Sequence, residues 1–315
     1  MMRVLVTDSL SDKGLDVLRD AEDIEVDLRA GISPDELKKI VGDYHAMVIR
    51  SRTKLTADII ERGAKLKVIG RAGVGLDNVD VAEAKRRGII VMNSPEGNIV
   101  STCELTMAMI LALSRRVTEA SASTKAGEWD RERFRGMELH GKMLGIVGLG
   151  RIGAEVAARA AAFGMKIIAC DPFCPPERAA ALGARLVALD ELLRTADVIT
   201  LHVPLTSETR GLIGRAEFEL MKKGVKLVNC ARGGIVDEAA LCDAIRAGVV
   251  SGCALDVYEK EPPVGSPLLA LDEVIATPHM GAVTPEAKEK VAADIATKVV
   301  AALRREQVEN PRGQK

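Results

Sequence analysis

Short apolar runs alternate with amphipathic stretches along the first hundred residues of the chain. Runs rich in Val and Ile occupy residues 3–7, 24–27, 46–50, 67–70 and 89–92, and helical spacing of apolar positions marks residues 11–20, 34–41 and 79–87. Ser33 precedes Pro34, a favourable helix start because Ser caps free amides and Pro fits the first turn. Apolar runs that alternate with helices predict a small, doubly wound domain with a parallel sheet.

A second series of the same kind fills most of the remaining chain. Its predicted strands are residues 143–148, 166–171, 185–188, 198–202, 226–230, 252–256 and 274–277. A last helical stretch, residues 284–305, is expected to return to the first domain. The pattern therefore predicts two α/β domains, the first of them discontinuous.

A helical stretch of unusual composition, residues 98–127, separates the two series. Ser101 and Glu104 have the spacing of a capping box, and residues 105–113 are apolar on nearly every side. A helix without a polar face has to be buried all round. We therefore expect it to pack in an interface between domains or subunits.

The second series opens with a glycine-rich turn between a strand and a helix. Gly148, Gly150 and Gly153 form G-x-G-x-x-G directly after the apolar run 144–147 and before an Ala-rich helical stretch. In this context the three glycines permit a tight turn, a close approach to a pyrophosphate and close packing of helix on sheet. Free amides at the helix N-terminus would bind the phosphates, so the motif predicts a Rossmann-type dinucleotide site.

A carboxylate at the end of the next predicted strand indicates which dinucleotide binds. Asp171 lies 21 residues after Gly150, where it would accept hydrogen bonds from the adenosine ribose hydroxyls. A 2′-phosphate would meet like charge there, and no Lys or Arg follows until Arg178. The site is therefore expected to prefer NAD to NADP. The alternative is a loop carboxylate that caps a turn before Pro172.

Composition excludes several other classes of protein. The 315 residues contain 44 Lys and Arg against 45 Asp and Glu, and aromatic residues make up only 2%. A balanced charge and few rings argue against a nucleic-acid partner, and no apolar run is long enough to cross a membrane. Cys170 and Cys174 form an isolated pair, so we predict no metal site. The N-terminus has no signal-peptide pattern, and six Cys are sparse, so a cytoplasmic chain is expected.

An enzyme that oxidises an alcohol by hydride transfer to a dinucleotide needs a base for the hydroxyl proton. The chain has four histidines for this role, and they lie at different ends of the predicted strands. His45 and His140 precede strands, whereas His202 and His279 follow them. Ligands of open α/β sheets bind at the carboxyl ends of strands. His279, followed by Gly281, is the preferred base, and a purely structural histidine is the alternative.

Two further charged residues follow predicted strands of the same series. Arg232 comes before two glycines, and its guanidinium could bind a carboxylate through two parallel hydrogen bonds. Glu261 comes before two prolines and could accept from the Nδ1–H group of His279, which would fix the tautomer. Arg232, Glu261 and His279 are therefore the predicted catalytic residues.

These motifs together resemble the D-isomer-specific 2-hydroxyacid dehydrogenase family. The resemblance rests on the glycine turn, Asp171 and three segments, residues 229–234, residues 254–257 with 261–263, and residues 278–282. It implies a Rossmann-type NAD domain over residues 98–282, inserted in a flavodoxin-like substrate domain formed by residues 1–97 and 283–315. The implied NAD contacts are Val74, Gly148, Gly150, Arg151, Ile152, Gly153, Asp171, Val203, Cys230, Ala231, Arg232, Asp256, His279, Gly281 and Ala282.

Two segments of the first domain resemble family members that act on D-3-phosphoglycerate. They are residues 50–54 and 70–80, and the implied substrate contacts are Arg50, Ser51, Arg52, Gly73, Val74 and Gly75. The resemblance implies NAD-dependent oxidation of this 2-hydroxy acid to 3-phosphohydroxypyruvate, the first step of serine biosynthesis. The cations Arg50, Arg52 and Lys54 suit its phosphate. Arg52 stands where relatives usually carry a small residue, so this end of the pocket is expected to differ.

Two other functions and the assembly state stay open at this point. A hydroxypyruvate or glyoxylate reductase would use the same catalytic residues without phosphate cations, and an NAD-sensing corepressor-like module would bind a protein and turn over little.

Many members of the family continue into serine-binding regulatory domains. This chain stops near residues 307–315, so serine feedback through such a domain is not expected. The apolar helix favours a homodimer or higher homo-oligomer. The basic run Arg131, Arg133 and Arg135 is either a solvated face or a contribution to a partner subunit's site.

Overall fold

The computed structural model describes residues 1–309, which form two compact units. The first consists of Met1–Asn98 together with the chain from Val283 onward, and the second is Ile99–Ala282. Each unit contains one sheet in which every strand pair is parallel. The fold class is therefore the predicted one, two parallel-sheet α/β domains. In the described residues no helix is long and apolar enough to cross a membrane.

The first unit has a five-stranded sheet of order β2-β1-β3-β4-β5. Its strands are β1 Met2–Val6, β2 Ile24–Leu28, β3 Ala46–Ile49, β4 Val68–Arg71 and β5 Ile90–Asn93. Its helices are α1 Asp12–Arg19, α2 Pro34–Ile40, α3 Ala57–Arg62, α4 Val81–Arg86 and, from the C-terminal segment, α12 Pro285–Glu309. The predicted cap of α2 is present, because Ser33 accepts from the Glu36 amide and Glu36 bonds back to the Ser33 amide.

The second unit has a seven-stranded sheet of order β12-β11-β10-β9-β6-β7-β8. Its strands are β6 Met143–Val147, β7 Lys166–Cys170, β8 Ala184–Leu186, β9 Val198–Leu201, β10 Val225–Asn229, β11 Val250–Leu255 and β12 Val274–Ala276. Its helices are α5 Ile99–Arg115, α6 Val117–Lys125, α7 Arg151–Ala162, α8 Pro176–Ala181, α9 Leu189–Thr195, α10 Arg215–Leu220 and α11 Glu238–Arg246. Strand order reverses between β6 and β9, and such a reversal opens a crevice for ligands at the carboxyl ends of the strands.

The sequence prediction for the segment between the two series needs correction. The capping box is wrong, because α5 begins at Ile99 and Ser101 lies within its first turn. One side of α5 is covered by its own unit, where Met107, Ile110 and Leu113 join a core with residues of α7, β10 and β11. Val100 and Ala108, on another side of the helix, are exposed. The expectation that α5 packs in an interface between domains or subunits stays a prediction.

Candidate active site

The glycine-rich turn connects β6 to α7 in the predicted manner. A Cβ atom on Gly148, whose φ is +93°, would lie 2.7 Å from the carbonyl oxygen of His202 and 2.8 Å from Cγ1 of Val203. A Cβ atom on Gly153 would lie 2.2 Å from the Gly148 carbonyl oxygen. These contacts leave no room for a side chain, so the turn brings α7 close to the sheet at the strand-order reversal.

The second glycine of the motif faces open space instead. A Cβ atom on Gly150 would meet no heavy atom within 4 Å, and Gly150 is the residue that precedes α7. Free amides of a twelve-residue helix thus border a space that no side chain fills. This cradle fits the pyrophosphate of a dinucleotide.

The carboxylate of Asp171 joins this turn to the end of β7. Its Oδ2 accepts from the Leu149 amide at 2.8 Å, and its Oδ1 accepts from the Phe173 amide at 2.9 Å. Each carboxylate oxygen can accept more than one hydrogen bond, and the side chain is only half-buried. Asp171 therefore caps a turn and also remains able to accept from ribose hydroxyls.

His279 and Glu261, predicted from separate strand ends, are in contact. The Nδ1 atom of His279 lies 2.8 Å from Oε2 of Glu261. The side chains are 48% and 39% exposed, so both are accessible to a ligand. A carboxylate is an acceptor only, which places a proton on Nδ1 of His279 and leaves Nε2 as the acceptor atom of the neutral ring.

A buried carboxylate shapes the loop that carries His279. Asp256, 1% exposed, follows β11 and accepts from the Thr277 hydroxyl at 2.6 Å, the Met280 amide at 2.7 Å and the Gly281 amide at 2.8 Å. Both of its oxygens are therefore used within the protein. Its predicted NAD contact would come in addition to these three bonds.

Tyr258 links the loop after β11 to the loop after β12, and the sequence did not predict this role. Its amide donates to Oε1 of Glu261 at 3.3 Å, and its hydroxyl lies 3.0 Å from the Thr277 carbonyl and 3.1 Å from the Leu255 carbonyl. Burial raises the pKa of Tyr258 to about 12, so the hydroxyl remains a donor at neutral pH.

Arg232 lies on a loop after β10, the strand next to β11. Asn229 holds this loop: its Nδ2 donates to the Arg232 carbonyl at 2.9 Å and its Oδ1 accepts from the Ala231 amide at 3.0 Å. A Cβ atom on Gly233 would lie 1.7 Å from the Tyr258 carbonyl oxygen, so only Gly allows the two loops to approach. The half-buried guanidinium also donates to the Ala231 carbonyl at 2.6 Å.

His202 and His45 form hydrogen bonds with a hydroxyl and a backbone amide instead of a carboxylate. Nε2 of His202 lies 3.0 Å from the Thr200 hydroxyl, and burial lowers the pKa of His202 to about 4. Nδ1 of His45 accepts from the Arg3 amide at 3.0 Å. Burial raises the pKa of the Cys230 thiol to about 12, so at neutral pH this residue offers its backbone rather than a thiolate. All six cysteines are free.

The predicted substrate residues lie on two loops of the first unit. Residues 50–54 follow β3 and residues 73–75 follow β4, and these two strands are neighbours in the sheet. The second loop is held by Asn93, whose Nδ2 donates to the Val74 carbonyl at 2.5 Å. The side chains of Ser51 and Arg52 are exposed and that of Arg50 is half-buried. Both loops thus present polar groups at the carboxyl edge of their sheet.

Known proteins similar to this chain share both its sequence and its fold. Residues 107–281, more than half of the chain, match the model of the D-isomer specific 2-hydroxyacid dehydrogenase NAD binding domain. The D-3-phosphoglycerate dehydrogenase of Methanocaldococcus jannaschii is 50% identical over 311 residues, which are 98% of this chain and 59% of that protein. The chain therefore spans somewhat more than half the length of this relative.

Solved structures of similar length superpose on the whole chain. The TT0316 protein of Thermus thermophilus is 40% identical with a TM-score of 0.88, covering 96% of this chain and 97% of that one. The D-lactate dehydrogenase of Aquifex aeolicus, solved with NAD and lactic acid, is 32% identical with a TM-score of 0.83 and 98% coverage of both chains. With its glycine turn and its NAD-binding domain, this chain belongs to the D-isomer specific 2-hydroxyacid dehydrogenase family.

Proposed function

We propose that this chain oxidises D-3-phosphoglycerate to 3-phosphohydroxypyruvate with NAD, the first step of serine biosynthesis. The contact between His279 and Glu261 at 2.8 Å, on an NAD-binding domain, carries the proposal. The name of the Methanocaldococcus jannaschii relative supports the substrate. The exposed cation Arg52 and its neighbours Arg50 and Lys54 suit a substrate that bears a phosphate.

The proposed reaction assigns one task to each of three residues. Nε2 of His279 takes the proton of the C2 hydroxyl. Glu261 accepts a hydrogen bond from the Nδ1–H group of His279 and stabilises the imidazolium that forms. Arg232 binds the substrate carboxylate and so orients C2. NAD, when bound, accepts the hydride that leaves C2. The NAD contacts implied for Val74, Arg151, Ile152, Val203, Cys230, Ala231, Asp256, Gly281 and Ala282 belong to this proposal.

A substrate panel with NAD tests the reaction and its alternatives. NADH formation is measured with D-3-phosphoglycerate, D-glycerate, D-lactate and glycolate, and we expect the highest kcat/KM for the phosphorylated acid. Equal rates for D-glycerate or glycolate would favour a hydroxypyruvate or glyoxylate reductase. Absence of turnover, with NAD binding retained, would favour a binding module.

A histidine variant tests the role of the base. The variant His279→Ala should lower kcat by about 10²–10⁴-fold while NAD still binds, because proton transfer by a positioned base contributes that much. The variant His140→Gln, at an exposed position before β6, serves as the control. Turnover of His279→Ala at the wild-type rate would remove this residue as the base.

We also propose a homodimer located in the cytoplasm. Helix α6 has no buried side chain, and Trp129, just after it, is 80% exposed. An apolar ring of this size exposed beside an uncovered helix is typical of a protein interface. The six free cysteines fit a reducing compartment such as the cytoplasm.

A further inference from the structure

The loop after β3 in the first unit is anchored by a buried carboxylate. Oδ2 of Asp8 accepts from the Arg50 amide at 2.6 Å and from the Thr53 amide at 3.3 Å. Asp8 is only 5% exposed, and it follows β1, the neighbour of β3 in the sheet. Burying a carboxylate is costly unless it is hydrogen-bonded, so these two bonds explain why the charge is tolerated here.

The same loop is anchored from another side by an amide side chain. Nδ2 of Asn78 donates to the Arg50 carbonyl at 2.7 Å and to the Thr53 carbonyl at 2.6 Å. The backbone carbonyl of Asn78 accepts from the Leu55 amide at 2.8 Å. Asp8 therefore holds the amides of Arg50 and Thr53, and Asn78 holds their carbonyls.

This double anchoring determines what the middle of the loop presents. The side chains of Ser51 and Arg52 are exposed, and among the described residues no group accepts from their backbone amides. The Thr53 hydroxyl lies 2.9 Å from that of Thr7, which restrains the far end. The backbone amides of Ser51 and Arg52 and the Arg52 guanidinium are thus available between the fixed residues Arg50 and Thr53. Backbone amides and Arg side chains are the donors that bind phosphate oxygens.

We propose that Asp8 and Asn78 are positioning residues that set the selectivity for a phosphorylated substrate. They do not touch the substrate but hold residues 50–53 in the shape that receives a phosphate. A loop ordered before binding avoids the entropy cost of being ordered by the ligand, which strengthens binding. The inference rests on the proposed function, since it concerns the phosphate end of the same substrate.

Kinetics of Asp8 and Asn78 variants test this inference on the full chain. The variant Asp8→Ala should raise KM for D-3-phosphoglycerate roughly tenfold or more, with KM for NAD within about twofold of the wild type. The ratio of kcat/KM for D-3-phosphoglycerate over D-glycerate should fall by a similar factor. The variant Asp8→Asn keeps an oxygen that can accept from both amides, so most of the selectivity should return.

A second variant and a control separate positioning from general damage. Asn78→Ala removes the opposite anchor and should lower the same selectivity ratio, which keeps the test decisive if Asp8→Ala fails to fold. Asp80→Asn is the control: Asp80 caps α4 through the Glu83 amide, and Asn caps equally well. A folded Asp8→Ala or Asn78→Ala variant with an unchanged ratio would overturn the inference alone. A wild type that does not oxidise D-3-phosphoglycerate would overturn the proposed function. In that case the positioning role is tested by calorimetry, and equal affinities of wild type and Asp8→Ala for this acid would refute it.

Discussion

His279 adopts a backbone conformation that its surroundings have to stabilise. Its φ of 51° is left-handed, which costs a residue other than Gly about 1–3 kcal/mol. Asp256 accepts three hydrogen bonds from the same loop, and bonds to a charged acceptor contribute about 1.5–3 kcal/mol each. The three bonds therefore outweigh the strain, and Asp256 determines where the imidazole lies.

Asp171 determines the choice of cofactor in our proposal, and its removal tests this. The variant Asp171→Ala should lower the preference for NAD over NADP by about tenfold or more, because the carboxylate both binds ribose hydroxyls and repels a 2′-phosphate. The measurement is kcat/KM with each dinucleotide. Asp197→Ala is a matched control, since Asp197 accepts from the Met143 amide at 2.8 Å at the opposite end of β6. An unchanged ratio in Asp171→Ala would contradict the ribose role.

Sequence reasoning could place some site residues together but not those that hold them. The contact between His279 and Glu261 followed from two charged groups after strands of one sheet, and their catalytic roles remain predictions. Asp8 and Asn78 could not be found in this way. Their partners are backbone groups, 42 and 45 residues away for Asp8 and 28 and 25 for Asn78, and no spacing in the sequence marks such bonds.

Helix α12 completes the first unit by packing on α1 and on strands β3, β4 and β5. Ile295, Ala296 and Val299 are fully buried in the core of that unit. Helix α12 approaches α1 closely at Gly14, where a Cβ atom would lie 2.6 Å from Cβ of Ala292 and 2.9 Å from its backbone. A glycine at this position lets the two helices approach closely.

The contact between α1 and α12 is therefore sensitive to one added side chain. The variant Gly14→Val should lower the free energy of unfolding of the first unit by about 1–3 kcal/mol, since overpacking forces backbone shifts. Hydrogen exchange followed during denaturant titration would report each unit separately. The variant Lys13→Val places the same side chain on the exposed side of α1 and should cost less. Equal stability of Gly14→Val and wild type would contradict the prediction that α1 and α12 need a glycine at this contact.

The elements of the fold followed from periodicity where they were long or fully buried. All twelve predicted strands are present, with ends shifted by one or two residues, because buried runs of Val and Ile have few alternatives. Helix α3, Ala57–Arg62, was not predicted from the sequence. The start of α5 at Ile99 was misplaced because the capping signal at Ser101 is weaker than the packing that extends the helix.

At the scale of the molecule, the proposed homodimer rests on the exposed surface around α6 of the second unit. Helix α6 and the residues after it include Trp129 and the basic side chains of Arg131, Arg133 and Arg135, all exposed. Arg133 and Arg135 pair with Glu128 and Glu132, as expected of a solvated face. The pairs leave the indole of Trp129 as the principal apolar group of this surface.

A charge at position 129 tests the proposed homodimer. The variant Trp129→Glu should convert a dimer to a monomer at micromolar concentration, because large aromatic side chains dominate interface energetics. Light scattering after size-exclusion chromatography gives the mass of each species. Phe173→Glu is the matched control, since Phe173 is 92% exposed elsewhere in the same unit. A dimer that persists in Trp129→Glu would place the interface elsewhere, and a monomeric wild type would refute the assembly.

The discontinuous first unit has a consequence for synthesis on the ribosome. Translation delivers the whole nucleotide-binding unit, Ile99–Ala282, before α12 emerges. Until then the nascent first unit lacks a layer of its core, and the apolar surface that α12 will cover stays exposed. The unit that carries the NAD-binding domain is thus the first whose sequence is complete, and the unit proposed to recognise the substrate is completed last.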